Sequence, residues 1–296
     1  MKFSTSVAMI DPSYYIPLAR AAEEAGFDVI VLADSIGYPK ESDSTYPYNA
    51  DGSREFLENK PFVEPVVAMA AMAAATSRIE FSPFVMKLPI RHPALFAKEI
   101  TSLAVISNNR IQLGVGTSPW PEDYDLVGLP WEGRGRRFLE CIEIIRGLSS
   151  GDYFEFHGEF YDIDPIKLNP VPSEPVPILI GGNSPLMRKR AARLGDGWLQ
   201  TGLPDDVLRE AVTDLHRMRR EHGRDHLPFV IQGGGVFTVD DVHAQADLGV
   251  NQVMGGFGTF NPYGLAADTE PLQSKIDRLK RFGDEVIGPY RQRTGG

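Results

Sequence analysis

The chain has 296 residues, 42% of them apolar and 24% charged, with a formal net charge of -10 and a pI near 5.1. That length supports one full-sized core, and the acidic balance argues against a nucleic-acid surface or a face for anionic membrane, both of which need clustered positive charge. The lone cysteine, Cys141, excludes an internal disulfide, no Cys/His spacing matches a metal site, and residues 1–7 lack the apolar stretch of a signal peptide, so a cytoplasmic protein with small-molecule partners and no metal is expected.

In chain order, strands are predicted near 2–8, 28–33, 78–84, 110–115, 177–181, 197–201, 228–233 and 250–255, because each is a short apolar run bounded by turn residues. Amphipathic helices are predicted between them over 12–25, 64–76, 93–106, 133–148 and 204–222. Three helices close on Gly26, Gly195 and Gly249, and an apolar strand follows each at once, which is the αβ half of a βαβ unit. Eight such strands predict a single-domain α/β fold over 1–296, a (β/α)8 TIM barrel, with a doubly wound open sheet as the other arrangement. Two segments break the rhythm and read as insertions. Residues 38–61, after strand two, are rich in Pro, Ser, Asp and Tyr; residues 149–176, before strand five, hold a hairpin-like aromatic run. The polar end, 291–296, is expected to fray.

A barrel of this kind places its active site at the C-terminal ends of the strands. The loops there are aromatic: Tyr38, Tyr46, Tyr48, Phe56 and Phe62 after strand two, Trp120, Tyr124 and Trp131 after strand four, Phe257, Phe260 and Tyr263 after strand eight. Rings around one mouth suit a broad, flat ligand, although rings also close loops over a core. The run Pro177-Ile-Leu-Ile-Gly-Gly-Asn-Ser-Pro leads a strand through two glycines into a helix that Ser184 or Asn183 can cap, a turn fit for a phosphate or an ordinary helix start. The glycines at 233–235 and at 255, 256 and 258 offer rival phosphate positions or tight turns.

Four segments combine with these: Val31-Leu-Ala-Asp-Ser35, Phe81-Ser-Pro-Phe-Val-Met-Lys-Leu-Pro-Ile-Arg-His-Pro93, Asn109-Arg-Ile-Gln-Leu-Gly-Val-Gly-Thr-Ser-Pro-Trp120 and Ile180-Gly-Gly-Asn-Ser184. In order and spacing, with 190–198, they resemble the bacterial-luciferase-like family of flavin- and deazaflavin-dependent oxidoreductases. Residues 46–61 of the first insertion and the run 116–123 look most like its branch using the deazaflavin coenzyme F420. The resemblance implies a homodimer whose pocket holds the cofactor ring over strands three and four. Phe84, Val85, Lys87, Gly116 and Thr117 would bind the ring, and Gly181, Gly182, Asn183 and Ser184 the phosphate. It also implies a cis peptide at Phe84–Val85 or, second, Pro83–Phe84.

Asp34 is the expected proton-handling group, or else a turn cap, with Ser35 beside it as the second catalytic candidate. Many deazaflavin-dependent relatives carry histidine where this chain has Ser35, and the sugar-phosphate dehydrogenases carry glutamate where it has Pro119, which argues against a glucose-6-phosphate activity. Lys87 and Arg91 are read as partners of a cofactor anion or as solvated cations, His92 as a helix-start residue, and Glu122 and Asp123 as substrate contacts or surface acids. The leading function is hydride transfer between F420 and a small organic substrate. The alternatives are a monooxygenase using reduced flavin mononucleotide (FMN) and oxygen, and a cofactor-binding protein without turnover.

Overall fold

The computed structural model describes residues 1–46, 51–256 and 267–295. The strands are β1 (Lys2–Ser6), β2 (Val29–Leu32), β3 (Glu80–Pro83), β4 (Met86–Lys87), β5 (Leu113–Gly116), β6 (Phe154–His157), β7 (Asp162–Ile166), β8 (Ile178–Gly181), β9 (Gly197–Leu199), β10 (Val230–Gly235) and β11 (Gln252–Met254). Nine of them form one parallel sheet in the order β3-β2-β1-β11-β10-β9-β8-β5-β4. A parallel bridge between Phe81 and Ile111 brings its two ends together, with Phe81 N–H donating to the Arg110 carbonyl and Gln112 N–H to that of Phe81, both at 2.9 Å. The result is a nearly closed barrel in which each of the eight predicted strands is present, the third divided into β3 and β4. The hairpin β6–β7 is antiparallel and stands apart, inside the predicted insertion before the fifth barrel strand.

The helices are α1 (Tyr15–Glu24), α2 (Pro65–Ala73), α3 (Pro93–Ile106), α4 (Pro121–Leu126), α5 (Arg134–Leu148), α6 (Pro185–Leu194), α7 (Asp205–Glu221), α8 (Val239–Asp247), α9 (Leu272–Phe282) and α10 (Gly288–Thr294). Covered strands lose their polar alternation: all four residues of β2, Val-Ile-Val-Leu, are buried. On α7 the spacing Leu208, Ala211, Val212, Leu215 puts one apolar stripe inward. Among the described residues no helix is long and apolar enough to cross a membrane.

The expected fraying of 291–296 is corrected through Thr294. Residues 288–294 are helical, and Arg291 reaches both oxygens of Asp28 at 2.9 Å, which ties the chain end to the start of β2. Phe282 stacks on Phe27 at 5.4 Å, and Tyr290 meets Phe3 edge-on at 5.7 Å. Gly255 and Gly256 make room for this packing, since a Cβ at Gly255 would sit 2.2 Å from the Phe282 ring and one at Gly256 2.8 Å from Phe27. Steric relief, not anion binding, accounts for these two glycines; Gly258 lies outside the described residues.

Glu23 ends α1 by accepting backbone N–H groups of Ser77 (2.9 Å), Arg78 (2.6 Å) and Ile79 (2.9 Å), which lead into β3. Partial burial raises its pKa, but these bonds outweigh it and hold the carboxyl at about 2, against an ordinary 4.5. A depressed carboxyl stabilises the fold above its unfolded pKa and loses that contribution as pH falls from 4.5 toward 2. Glu23→Gln is therefore expected to cost about 1–2 kcal/mol at pH 7, after discounting for solvent screening, with the gap narrowing toward pH ~3. Urea unfolding of both proteins at the two pH values measures it.

Candidate active site

The C-terminal ends of the barrel strands surround a cavity of about 890 Å³. Most candidates named from the sequence lie on its wall: Asp34 and Ser35 at the end of β2, Phe84, Val85 and Lys87 at the β3–β4 corner, Gly116 and Thr117 at the end of β5, and Gly181 to Ser184 after β8; Arg91, His92, Glu122 and Asp123 are not part of it.

The β3–β4 corner is built around Val85. The Phe84–Val85 peptide is cis, and a second cis bond precedes Pro170. The valine methyls drop between two bare backbones: a Cβ at Gly116 would lie 2.7 Å from Val85 Cγ2, and one at Gly181 2.6 Å from Val85 Cγ1. Gly114 does the same for Pro83, whose carbonyl oxygen stands 2.0 Å from where its Cβ would be. Three glycines on two adjacent strands thus let the corner bulge into the cavity as an apolar wall.

Asp34 is more constrained than the sequence suggests. Its carboxylate is 1% exposed, its two oxygens accept a forked pair of bonds from Arg91 at 2.8 Å each, and Oδ2 also accepts the Lys87 N–H at 2.8 Å. Arg91 is thereby spent on Asp34 and on the Lys87 carbonyl (3.0 Å), which corrects its reading as a solvated cation or a partner of a cofactor anion. The pair clamps the end of β2 to β4.

Lys87 Nζ points the other way, to Asp123 Oδ2 at 2.7 Å, with both side chains buried. Ser118 Oγ donates to the same carboxylate oxygen at 2.5 Å and accepts the Trp120 N–H at 3.0 Å. Asp123 is therefore a buried counter-ion rather than a surface acid. Glu122 accepts from Ser44 Oγ at 3.1 Å, contacts Ser42 and pairs with Arg54 at 3.2 Å, which joins the first insertion to the loop after β5. Arg54 also lies over Trp120 at 4.1 Å and Tyr38 at 5.4 Å.

At the Gly181-Gly182 turn, Gly182 takes φ +120°, a conformation side chains resist, and its N–H goes to the Leu199 carbonyl at 3.1 Å. Ser184 caps α6 by accepting the Met187 N–H at 3.3 Å, and the Asn183 amide bridges to Thr201 through Nδ2 (2.6 Å) and Oδ1 (3.1 Å). Pro185 has no N–H. Among the described residues the N–H groups of Asn183, Ser184 and Leu186 remain unspent, a donor set that fits a phosphate at a helix start. The rival turn fits less well: Gly234 N–H goes to Gln245 Oε1 at 3.1 Å, and a Cβ at Gly233 would strike that oxygen.

The aromatic expectation divides. Tyr46, Phe62 and Trp120 line the cavity, Tyr46 stacking on Trp120 at 5.6 Å, whereas Tyr124 is buried against Trp131 and closes its loop. Tyr48, Phe257, Phe260 and Tyr263 lie outside the described residues. His92 caps nothing with its side chain at the start of α3 and rests edge-on against Tyr161. Burial pushes the Cys141 thiol up to about 12, far from a reactive thiolate. Sequence reading missed the wall from α9, where Lys275 pairs with Asp268 (2.6 Å) and Glu270 (3.2 Å) and Arg278 pairs with Glu270. The spacing Leu272, Ile276, Leu279, Phe282 was the available signal for that helix. Among the described residues no group of three His, Cys, Asp or Glu side chains is placed to hold a metal.

A family model for luciferase-like monooxygenases matches residues 2–285. An uncharacterized protein of Mycobacterium tuberculosis is 53% identical over 97% of this chain and 99% of its own length. An F420-dependent glucose-6-phosphate dehydrogenase of Nakamurella multipartita is 31% identical over 72% of this chain and 60% of its own. In fold, the chain is similar to the coenzyme F420 dependent tetrahydromethanopterin reductase of Methanopyrus kandleri, with TM-score 0.74 and 17% identity over 98% of this chain and 99% of that one. By the extent of the family match and these relatives, the chain belongs to the luciferase-like monooxygenase family of oxidoreductases.

Proposed function

We propose that the cavity takes the deazaflavin coenzyme F420 and that the chain uses it to oxidise or reduce a small, uncharged organic substrate. The observation that carries this reading is the apolar wall raised by Val85 between Gly116 and Gly181, next to a helix start with three unspent N–H groups. The first suits a flat ring and the second its phosphate. The F420-dependent dehydrogenase relative supports the deazaflavin over FMN.

When bound, the deazaflavin ring supplies the hydride exchange; the protein supplies position, dryness and charge. Phe84, Val85 and Thr117 would form the seat of the ring. Tyr46, Phe62 and Trp120 exclude water from the mouth. Asp34, with both oxygens engaged, acts as a positioning residue for Lys87, and Ser35 contributes a hydroxyl to the same wall. Lys87, held by Asp123 and through it by Ser118, would be the cation offered to a bound ring. Among the described residues the cations that reach the cavity are matched by carboxylates, Lys87 by Asp123 and Lys275 and Arg278 by Asp268 and Glu270, so these offer no unmatched charge to a sugar phosphate.

Parallel fluorescence titrations of the purified chain with F420 and FMN test this. F420 is expected to bind at least about 10-fold more tightly, a difference of about 1.4 kcal/mol. Preference for FMN would overturn the cofactor assignment and direct attention to oxygen-dependent chemistry, and binding of neither would remove the cavity assignment.

A further inference from the structure

Trp120 stands at the start of α4, lines the cavity and is 6% exposed. The guanidinium of Arg54 lies 4.1 Å over its ring, and the Tyr46 ring stacks on it at 5.6 Å with 16° between the planes. Arg54 is held in turn, since Nη1 donates to Ser42 Oγ at 2.5 Å and to Glu122 Oε1 at 3.2 Å. Its Nε is buried and has no acceptor among the described residues, so stacking on the indole, rather than full hydrogen bonding, decides where the guanidinium sits. Glu122 follows closely in the first turn of α4, so the ring and the carboxylate that anchors its cation ride on one stretch of chain. These contacts take up the π surface of the indole, and its rim is what remains for a ligand.

That rim carries an unspent donor. Trp198 gives its indole N–H to the Gly182 carbonyl at 2.9 Å, whereas the Trp120 N–H reaches no acceptor among the described residues. On a side chain this buried an unmade hydrogen bond is costly, and a ligand's acceptor removes the cost. The rest of the wall narrows the chemistry of that ligand. Met9, Ile10, Leu57 and Phe62 are apolar, and the one carboxylate among the described lining residues, Asp34, has both oxygens engaged. An ammonium group finds no partner here, and a neutral molecule bearing a carbonyl oxygen does. At about 890 Å³ the cavity stands near the upper end of ligand sites, about 300–1,000 Å³, so a second molecule fits beside a cofactor ring.

We propose that Trp120 is a specificity-determining residue whose indole N–H donates to the carbonyl oxygen of a neutral ketone, enone or quinone, and that Arg54 is the positioning residue that fixes the ring for this bond. This rests on the cofactor reading above and names the substrate class of the same cavity.

The test uses the F420-loaded chain and two neutral probes of one shape, β-acetylnaphthalene and β-isopropenylnaphthalene, which differ in having and lacking the carbonyl oxygen. Equilibrium dialysis reads their affinities. W120F keeps an aromatic ring and loses the N–H; it is expected to bind the acetyl probe about 5-fold more weakly, and the isopropenyl probe and F420 as wild type does. R54M is expected to weaken the acetyl probe by a similar factor, and to add nothing in the W120F background, because both changes act through one ring. R54K, which keeps a cation over the indole, is expected to restore part of the loss. A second readout needs only folded wild type: the three tryptophans give three indole N–H resonances, and that of Trp120, assigned by elimination with W120F or W131F, is expected to move downfield with the acetyl probe alone. Equal weakening of both probes in W120F, or an unmoved Trp120 resonance, would overturn the carbonyl contact, and intact F420 binding would leave the cofactor reading standing. Loss of F420 affinity in W120F would place the N–H on the cofactor and overturn the substrate contact as well. Trp120-dependent binding of the acetyl probe by a chain that takes up no F420 would uphold the contact and overturn the cofactor reading.

Discussion

Replacing Arg91 with methionine is expected to lower the unfolding free energy by about 3–5 kcal/mol, because it strands a buried carboxylate. The Asp34 side chain is 1% exposed and holds three donors, two from Arg91 and one from the Lys87 backbone. Without the guanidinium it keeps one. The converse change costs less: Asp34→Asn leaves Arg91 17% exposed, still near the Lys87 carbonyl and 4.0 Å from Glu64, so about 1–2 kcal/mol is expected. Arg91→Lys keeps the charge and loses the fork, and should fall between them. The consequence reaches the site, since Lys87 hangs from this clamp. Cofactor affinity should fall in all three variants, most in Arg91→Met. Urea unfolding with cofactor titration measures both, and an Arg91→Met protein within about 1 kcal/mol of wild type would remove the clamp from the account.

What could be read from the chain alone followed the range of the forces involved. Strand and helix patterning is local, so all eight barrel strands and the helices at 12–25, 64–76, 93–106, 133–148 and 204–222 were legible within a few residues. Pairings across the barrel were not. Nothing local to Asp34 tells that Arg91, 57 residues on, takes both its oxygens, or that Asp123 is buried against Lys87. Glycines misled for a related reason: a bare Cα for an anion and a bare Cα for a neighbouring side chain look identical in sequence. Gly181 was read as part of a phosphate turn, and the structure shows its lack of a side chain making room for Val85, whereas at Gly255 it makes room for Phe282.

The second large effect is expected at Gly181. Changing it to alanine places a methyl 2.6 Å from Val85 Cγ1 and 3.5 Å from the Val115 carbonyl, in a strand with no slack. Overpacking of this kind costs about 1–3 kcal/mol, and here the yielding partner is the wall on which the ring would rest. Cofactor affinity is expected to drop about 10- to 100-fold, the equivalent of about 1.4–2.8 kcal/mol. If the clash with Val85 is the cause, Val85→Ala removes both methyls and relieves it. Gly181→Ala with Val85→Ala should then recover most of the lost stability, with a coupling energy above about 1 kcal/mol, well outside the additivity of independent sites. Affinity should stay low, because the wall has been cut down. Gly182 supplies the control: its φ of +120° strains any side chain through the backbone, so Gly182→Ala should destabilise whether or not Val85 is trimmed. Additive losses at Gly181 and Val85 would mean that the valine is not what the glycine accommodates, and the apolar wall would lose its assigned role.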